Sequence, residues 1–94
     1  MAKIAITAVF KPKNGHKDAL LDELEKVKKV SRKEEGCLQY DLHQSIESNT
    51  IFLYEVWKDS GAVQNHIETV HYKTYRDNTE DLLESREVSK WNLI

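Results

Sequence analysis

The sequence predicts an α+β fold, a four-stranded antiparallel sheet with its helices on one face, from three observations. Apolar, partly β-branched runs and helically spaced runs follow one another as strand, helix, strand, strand, helix, strand. No repeat, linker or low-complexity segment interrupts them, so residues 1–94 read as a single domain around one core. The first and third strands are apolar on both faces, which gives that core a second side to account for.

Residues 3–10 are a strand stopped by Pro12, with Ile4, Ile6, Ala8 and Phe10 on one face and Ala5, Thr7 and Val9 on the other. Asn14 and Gly15 open a helix that runs through residue 33, with Ala19, Leu20, Leu24, Val27 and Val30 at helical spacing. On its outer face, Asp22 with Lys26 and Glu25 with Lys29 are spaced as i,i+4 pairs. Gly36 ends the helix. Residues 37–46 form the second strand, with Leu38, Tyr40, Leu42 and Ile46 sharing a face, and Glu47-Ser48-Asn49 makes the turn. Residues 50–58 are the strongest strand, with Ile51, Leu53, Glu55 and Trp57 opposite Phe52, Tyr54 and Val56. Asp59 or Ser60 caps a helix that turns Ala62, Val63, His66, Ile67 and Val70 inward before a break near Thr69. A further helix over 71–83 carries Tyr72, Tyr75, Leu82 and Leu83, and residues 86–93 close the chain as a strand with Val88, Trp91 and Leu93.

This order is the split βαβ arrangement of ferredoxin-like folds. A sheet with one wet face should alternate cleanly, and the first and third strands do not. The expectation is a homodimer formed through the sheet faces.

Composition excludes several classes of partner. Fourteen basic and sixteen acidic side chains interleave to a net charge of -2, and no basic stripe invites nucleic acid. The only early apolar stretch is residues 3–10, too short for a membrane span and not followed by a cleavage site. With Cys37 as its one cysteine and no membrane segment, the chain is expected to be cytoplasmic.

No catalytic signature motif is present, so a site must be assembled from single residues. His66 sits among apolar positions and titrates near neutrality, which suits proton transfer; taken alone, a core histidine bonded to backbone is the stronger explanation. Glu55 interrupts an apolar face and needs a histidine, a tyrosine hydroxyl or a ligand to meet it, unless it pairs with a lysine near the strand end or caps a helix. His71 starts the next helix, and His16 and His43 look exposed. On one helix His66 and His71 would lie about 140° apart, which is not a metal-ligand pair, so no metal is expected. Cys37 reads as a small buried hydrophobe rather than a nucleophile. Trp57, Tyr54, Tyr72, Tyr75 and Trp91 can line a flat apolar pocket or simply fill the core.

Three runs, Glu34-Glu35-Gly36-Cys37-Leu38-x-Tyr40, Tyr54-Glu55-x-Trp57-Lys58 and His66-Ile67-x-Thr69-x-His71-Tyr72, resemble the antibiotic biosynthesis monooxygenase family over essentially the whole chain. The resemblance implies a dimeric α+β barrel with a pocket in each subunit between sheet and helices. It also implies oxidation of quinols or anthrone-type aromatics by molecular oxygen without metal, flavin or haem, so no cofactor is expected. By this resemblance His66 is the base or hydrogen-bonding partner and Glu55 orients it or the substrate. Trp57, Tyr72, Phe10 and His71 then contact a small apolar or aromatic molecule. Related haem-degrading barrels carry a tryptophan in place of His66 and a later haem-ligating histidine where this chain has Arg76, so haem is not expected. The family also includes an isomerase of a phosphorylated autoinducer sugar, for which Lys58, Lys73 or Arg76 could meet the phosphate. A non-enzymatic dimer that holds a small molecule is the reading from a different class.

Overall fold

In the computed structural model, which describes residues 2–94, the chain runs β1 (Ile4–Pro12), α1 (Lys17–Ser31), β2 (Cys37–Gln44), β3 (Ile51–Trp57), α2 (Ser60–Ile67), α3 (Val70–Thr79) and β4 (Leu83–Asn92), with a 3-10 turn at Glu80–Leu82. The strands form one antiparallel sheet in the order β2-β3-β1-β4. This is the ferredoxin-like βαββαβ arrangement that the sequence predicts.

Register explains the core. Ile4, Ile6, Ala8 and Phe10 of β1 lie opposite Trp57, Glu55, Leu53 and Ile51 of β3, so these eight side chains share the face that the helices cover. Helix α1 brings Leu20, Leu24 and Val27 onto it, α2 brings Ala62 and Val63, and α3 brings Tyr75. Each such apolar side chain contributes about 1.5–3 kcal/mol by leaving water. Helix α1 is docked at its end by Arg32, whose Nε donates to the Tyr40 carbonyl at 2.9 Å and whose guanidinium meets Asp41 at 2.8 Å.

Local details depart from the sequence reading, each for a physical reason. Leu38 was expected on the Tyr40 face but is 51% exposed. Cys37 pairs with Trp57 and Gln39 with its neighbour Val56, so Leu38 is the extra residue of a bulge and is pushed outward. Ile46 lies beyond the end of β2, in a turn organised by Ser45 Oγ, and is fully exposed. The ion pairs of α1 are Glu23–Lys26 and Glu25–Lys28, at i,i+3, rather than the expected i,i+4 partners. Glu23 is also held by Asn78 of α3 at 2.9 Å, which fixes where Lys26 finds its charge. Ala19 and Val30 remain on the outer side of α1, and its last buried position is Ser31. No side chain caps α1; the chain enters through Gly15, at φ +79, a conformation glycine adopts without strain.

The largest departure is at the helix break. Asp59 caps α2 by accepting the Ala62 N–H at 2.8 Å, and the helix stops at Ile67. Thr69 then restarts it by accepting the Tyr72 N–H. Because an extended Thr69 (φ -72, ψ 154) interrupts the helical periodicity there, Ile67 and Val70 do not turn inward; they are 37% and 80% exposed. The last strand begins at Leu83, three residues before its expected start, since α3 ends at Thr79.

Candidate functional site

The helix break assembles a cluster that one continuous helix would have dispersed. His66, in the last turn of α2, is only 2% exposed, and His71, in the first turn of α3, is half-buried. Both reach the same atom, Glu34 Oε2 in the turn after α1: His66 Nδ1 at 2.6 Å and His71 Nε2 at 2.8 Å. The expected wide separation of the two histidines therefore does not hold, because its premise of a single helix fails.

Glu34 fixes the chemistry of His66. A carboxylate oxygen only accepts, so Nδ1 carries the proton and the Nε2 lone pair is free. Nε2 faces Glu55 Oε1 at 3.9 Å. Glu55 accepts a hydrogen bond from Trp57 Nε1 at 2.9 Å, and the Trp57 ring lies 4.4 Å from the imidazole at a shallow 34° tilt. Tyr72 and Tyr40 close the other sides edge-on, with centroids at 5.1 and 6.1 Å. Burial pushes the Glu55 carboxyl up to about 7, with the Trp57 bond and the Arg86 charge opposing it. Burial likewise holds His66 below its usual value, opposed by Glu34. An imidazole held below its usual range and a carboxyl raised to about 7 thus sit side by side, both buried.

The remaining predicted residues separate into two groups. Trp57 and Tyr72 touch His66, and His71 shares its carboxylate. Phe10 does not reach it: its ring is fully buried and meets Tyr75 edge-on at 6.5 Å, so it belongs to the packed core. Cys37 is half-buried, and burial pushes its thiol up to about 11, which leaves it protonated and a poor nucleophile. Two residues received no role from the sequence, although Glu34 opens the first of the family-like runs. Glu34 lies 32 positions from His66, and nothing in local spacing links them. Arg86 of β4 stands opposite Phe10 and reaches the hydroxyls of Tyr75 and Tyr72 at 3.3 and 3.4 Å; its only sequence signal is its alternation with Val88 along a strand.

Two surface clefts flank the cluster. One of about 430 Å³ lies between Glu34, Gly36, Lys58 and Ala62, and one of about 480 Å³ runs between α1 and α3 past Val27, Val30, His71 and Tyr75. Neither is lined by His66, Glu55, Trp57 or Phe10, all of which are buried, whereas His71 borders the second. Gly36 keeps this region tight, since a Cβ there would stand 2.3 Å from that of Ala62.

Comparison with known proteins places this architecture. Residues 3–78 match the family described as antibiotic biosynthesis monooxygenase, a span from β1 almost to the end of α3. The chain is 36% identical over 81 residues to "Putative monooxygenase YcnE" of Bacillus subtilis, covering 85% of each. It is 30% identical over 76 residues to "Probable quinol monooxygenase YgiN" of Escherichia coli, covering 71% of this chain and 73% of that one. The crystal structure of PA3566 from Pseudomonas aeruginosa superposes with a TM-score of 0.94 at 30% identity, over 100% of this chain and 96% of that one, and so includes β4. On these matches in sequence and in fold, the chain belongs to the antibiotic biosynthesis monooxygenase family.

Proposed function

We propose that the chain is a cofactor-independent monooxygenase of a small quinol-type aromatic, working as a homodimer, with His66 as proton acceptor. The observation that carries this reading is the 2.6 Å contact of buried His66 Nδ1 with Glu34, which assigns the proton to Nδ1 and leaves Nε2 as the acceptor, facing Glu55 beside the Trp57 and Tyr72 rings. Removing a phenolic proton to Nε2 makes the substrate an electron-rich anion able to reduce molecular oxygen. For a quinol, one oxygen atom enters the ring and the other leaves as water, which gives a hydroxyquinone. The half-buried Tyr72 is the ring whose movement admits substrate. The name of the YgiN relative supports the quinol class.

The homodimer rests on the uncovered sheet face. There Thr7 and Val9 lie opposite Tyr54 and Phe52, and Trp91 donates to Thr7 Oγ1 at 2.9 Å while remaining 55% exposed. Sedimentation at micromolar concentration is expected to give a dimer, and a monomer would overturn this part of the proposal.

The test of the reaction is oxygen uptake with menadiol. Wild-type protein turns it over, and His66→Gln lowers kcat by about 10²–10⁴-fold with unchanged circular dichroism. Equal turnover would remove His66 from the mechanism. A second reading, a non-enzymatic dimer that holds a small apolar molecule, is favoured by the cleft between α1 and α3, which Val27, Val30, Val70 and Tyr75 line and His66 does not. Quenching of tryptophan fluorescence by the quinol without oxygen uptake would select it.

A further inference from the structure

The Glu34, His66 and His71 side chains have a capacity that the proposed reaction does not use. Three potential ligand atoms, Glu34 Oε2, His66 Nδ1 and His71 Nε2, lie within 4.8 Å of one another. They come from three separate elements: the turn after α1, the end of α2 and the start of α3. We infer that these three atoms form a binding site for a divalent transition-metal ion of the zinc class.

The donor set is two imidazole nitrogens and one carboxylate oxygen, which suits zinc, cobalt or nickel and does not suit magnesium or calcium. A four-coordinate ion with bonds of about 2.1 Å holds its donors about 3.4 Å apart. The 2.6 and 2.8 Å contacts to Glu34 need to open by less than about 1 Å to reach that spacing. Glu34 sits in a turn, where such a shift breaks no helix or strand bond.

Charge and surroundings favour the same conclusion. Among the described residues, Glu34 has no lysine or arginine at salt-bridge distance, since its ion-pair partners are the two imidazoles and nearby Lys58 is taken by Glu35. An ion would supply the compensating positive charge. With the metal on Nδ1, His66 carries its proton on Nε2, and that N–H faces Glu55 Oε1 at 3.9 Å. A carboxylate behind a ligating histidine orients the ring and strengthens its donor. Glu55 is itself held by Trp57, so the outer partner is already in place. The clefts beside Glu34 and His71 bring solvent to the open side, which provides the entry path and a water for the remaining position. Metal binding and proton abstraction require opposite tautomers of His66, so a loaded site is a silenced base.

Calorimetric titration of chelator-treated wild-type protein with zinc chloride tests the site without any quinol, so its outcome is independent of the reaction proposed above. One zinc per chain is expected, with micromolar or tighter affinity. His71→Ala and Glu34→Gln, checked for folding by circular dichroism, should each weaken binding at least tenfold, and a His16→Ala/His43→Ala variant should leave it unchanged. Absence of saturable binding up to ~100 μM zinc, a range ordinary for a three-ligand site, would overturn the inference. So would binding that survives His71→Ala, or that disappears with the exposed His16 and His43.

Discussion

Phe10 and His66 are equally sealed from solvent under the same helices, yet they mark two ends of that layer with different physics. Phe10 is paired with Ile51, meets Tyr75 edge-on and belongs to the apolar cluster of Leu20 and Leu24, and burial is its own compensation. Around His66 the neighbours are Glu34, Glu55, Trp57 and Tyr72, and every polar atom has to find a partner in a space that disfavours charge. The Phe10 end holds the fold together. The His66 end spends some of that stability to keep titratable groups dry.

The sharpest way to break this contrast is to cut the Phe10 end. Phe10→Ala removes a fully buried ring, and its unfolding free energy should fall by about 3–5 kcal/mol in urea titrations. Because the ring does not reach His66, the folded fraction should retain its kcat with menadiol. A kcat that falls along with stability would mean that Phe10 shapes the site after all.

The order of elements, the strand faces of β1 and β3 and the identity of Phe10 and Trp57 as inward residues were legible in the sequence, because strand alternation is local and survives without tertiary information. What was not legible depends on contacts distant in sequence. Glu34 reads as one more acid in a charged turn until α2 folds over it. The outward Leu38 needs a bulge that appears only in the register with β3, and the convergence of His66 and His71 needs the extended break between α2 and α3 that periodicity assigns to neither side. Periodicity located the break near Thr69 but not its consequence.

The His66 end can be sharpened by pH. Glu55 is raised to about 7 from an ordinary 4.5. A raised carboxyl means that the folded state binds more protons, so its contribution is complete below about 4.5 and is lost as pH rises through about 7. Glu55→Gln removes that loss. The stability of this variant relative to wild type should therefore rise between pH 5 and pH 8, by about 2–3 kcal/mol for a shift of that size. His66 acts in the opposite sense: its lowered value gives a contribution present above about 6.5 and lost as pH falls. It is common to both proteins and cancels in the difference. Urea titrations of the two proteins at both pH values measure it, and a difference that does not change with pH would show Glu55 ionised in the fold.

The smallest expected effect on stability probes the hinge between the two histidines. Thr69 Oγ1 accepts the Tyr72 N–H at 3.2 Å and donates to the His66 carbonyl at 2.7 Å, so one hydroxyl joins the end of α2 to the start of α3. Thr69→Ala should cost about 1 kcal/mol, as the loss of a helix cap does. In a domain of this size that lowers Tm by about 4–8 °C. If the hydroxyl only caps a helix, kcat with menadiol will stay constant while Tm falls. If it also sets the direction of α3, and with it the contacts of Tyr72 and His71 to His66 and Glu34, kcat will fall severalfold in protein that is fully folded at the assay temperature. The second outcome is the one expected, because both bonds of Thr69 end on residues whose side chains contact His66 or belong to it.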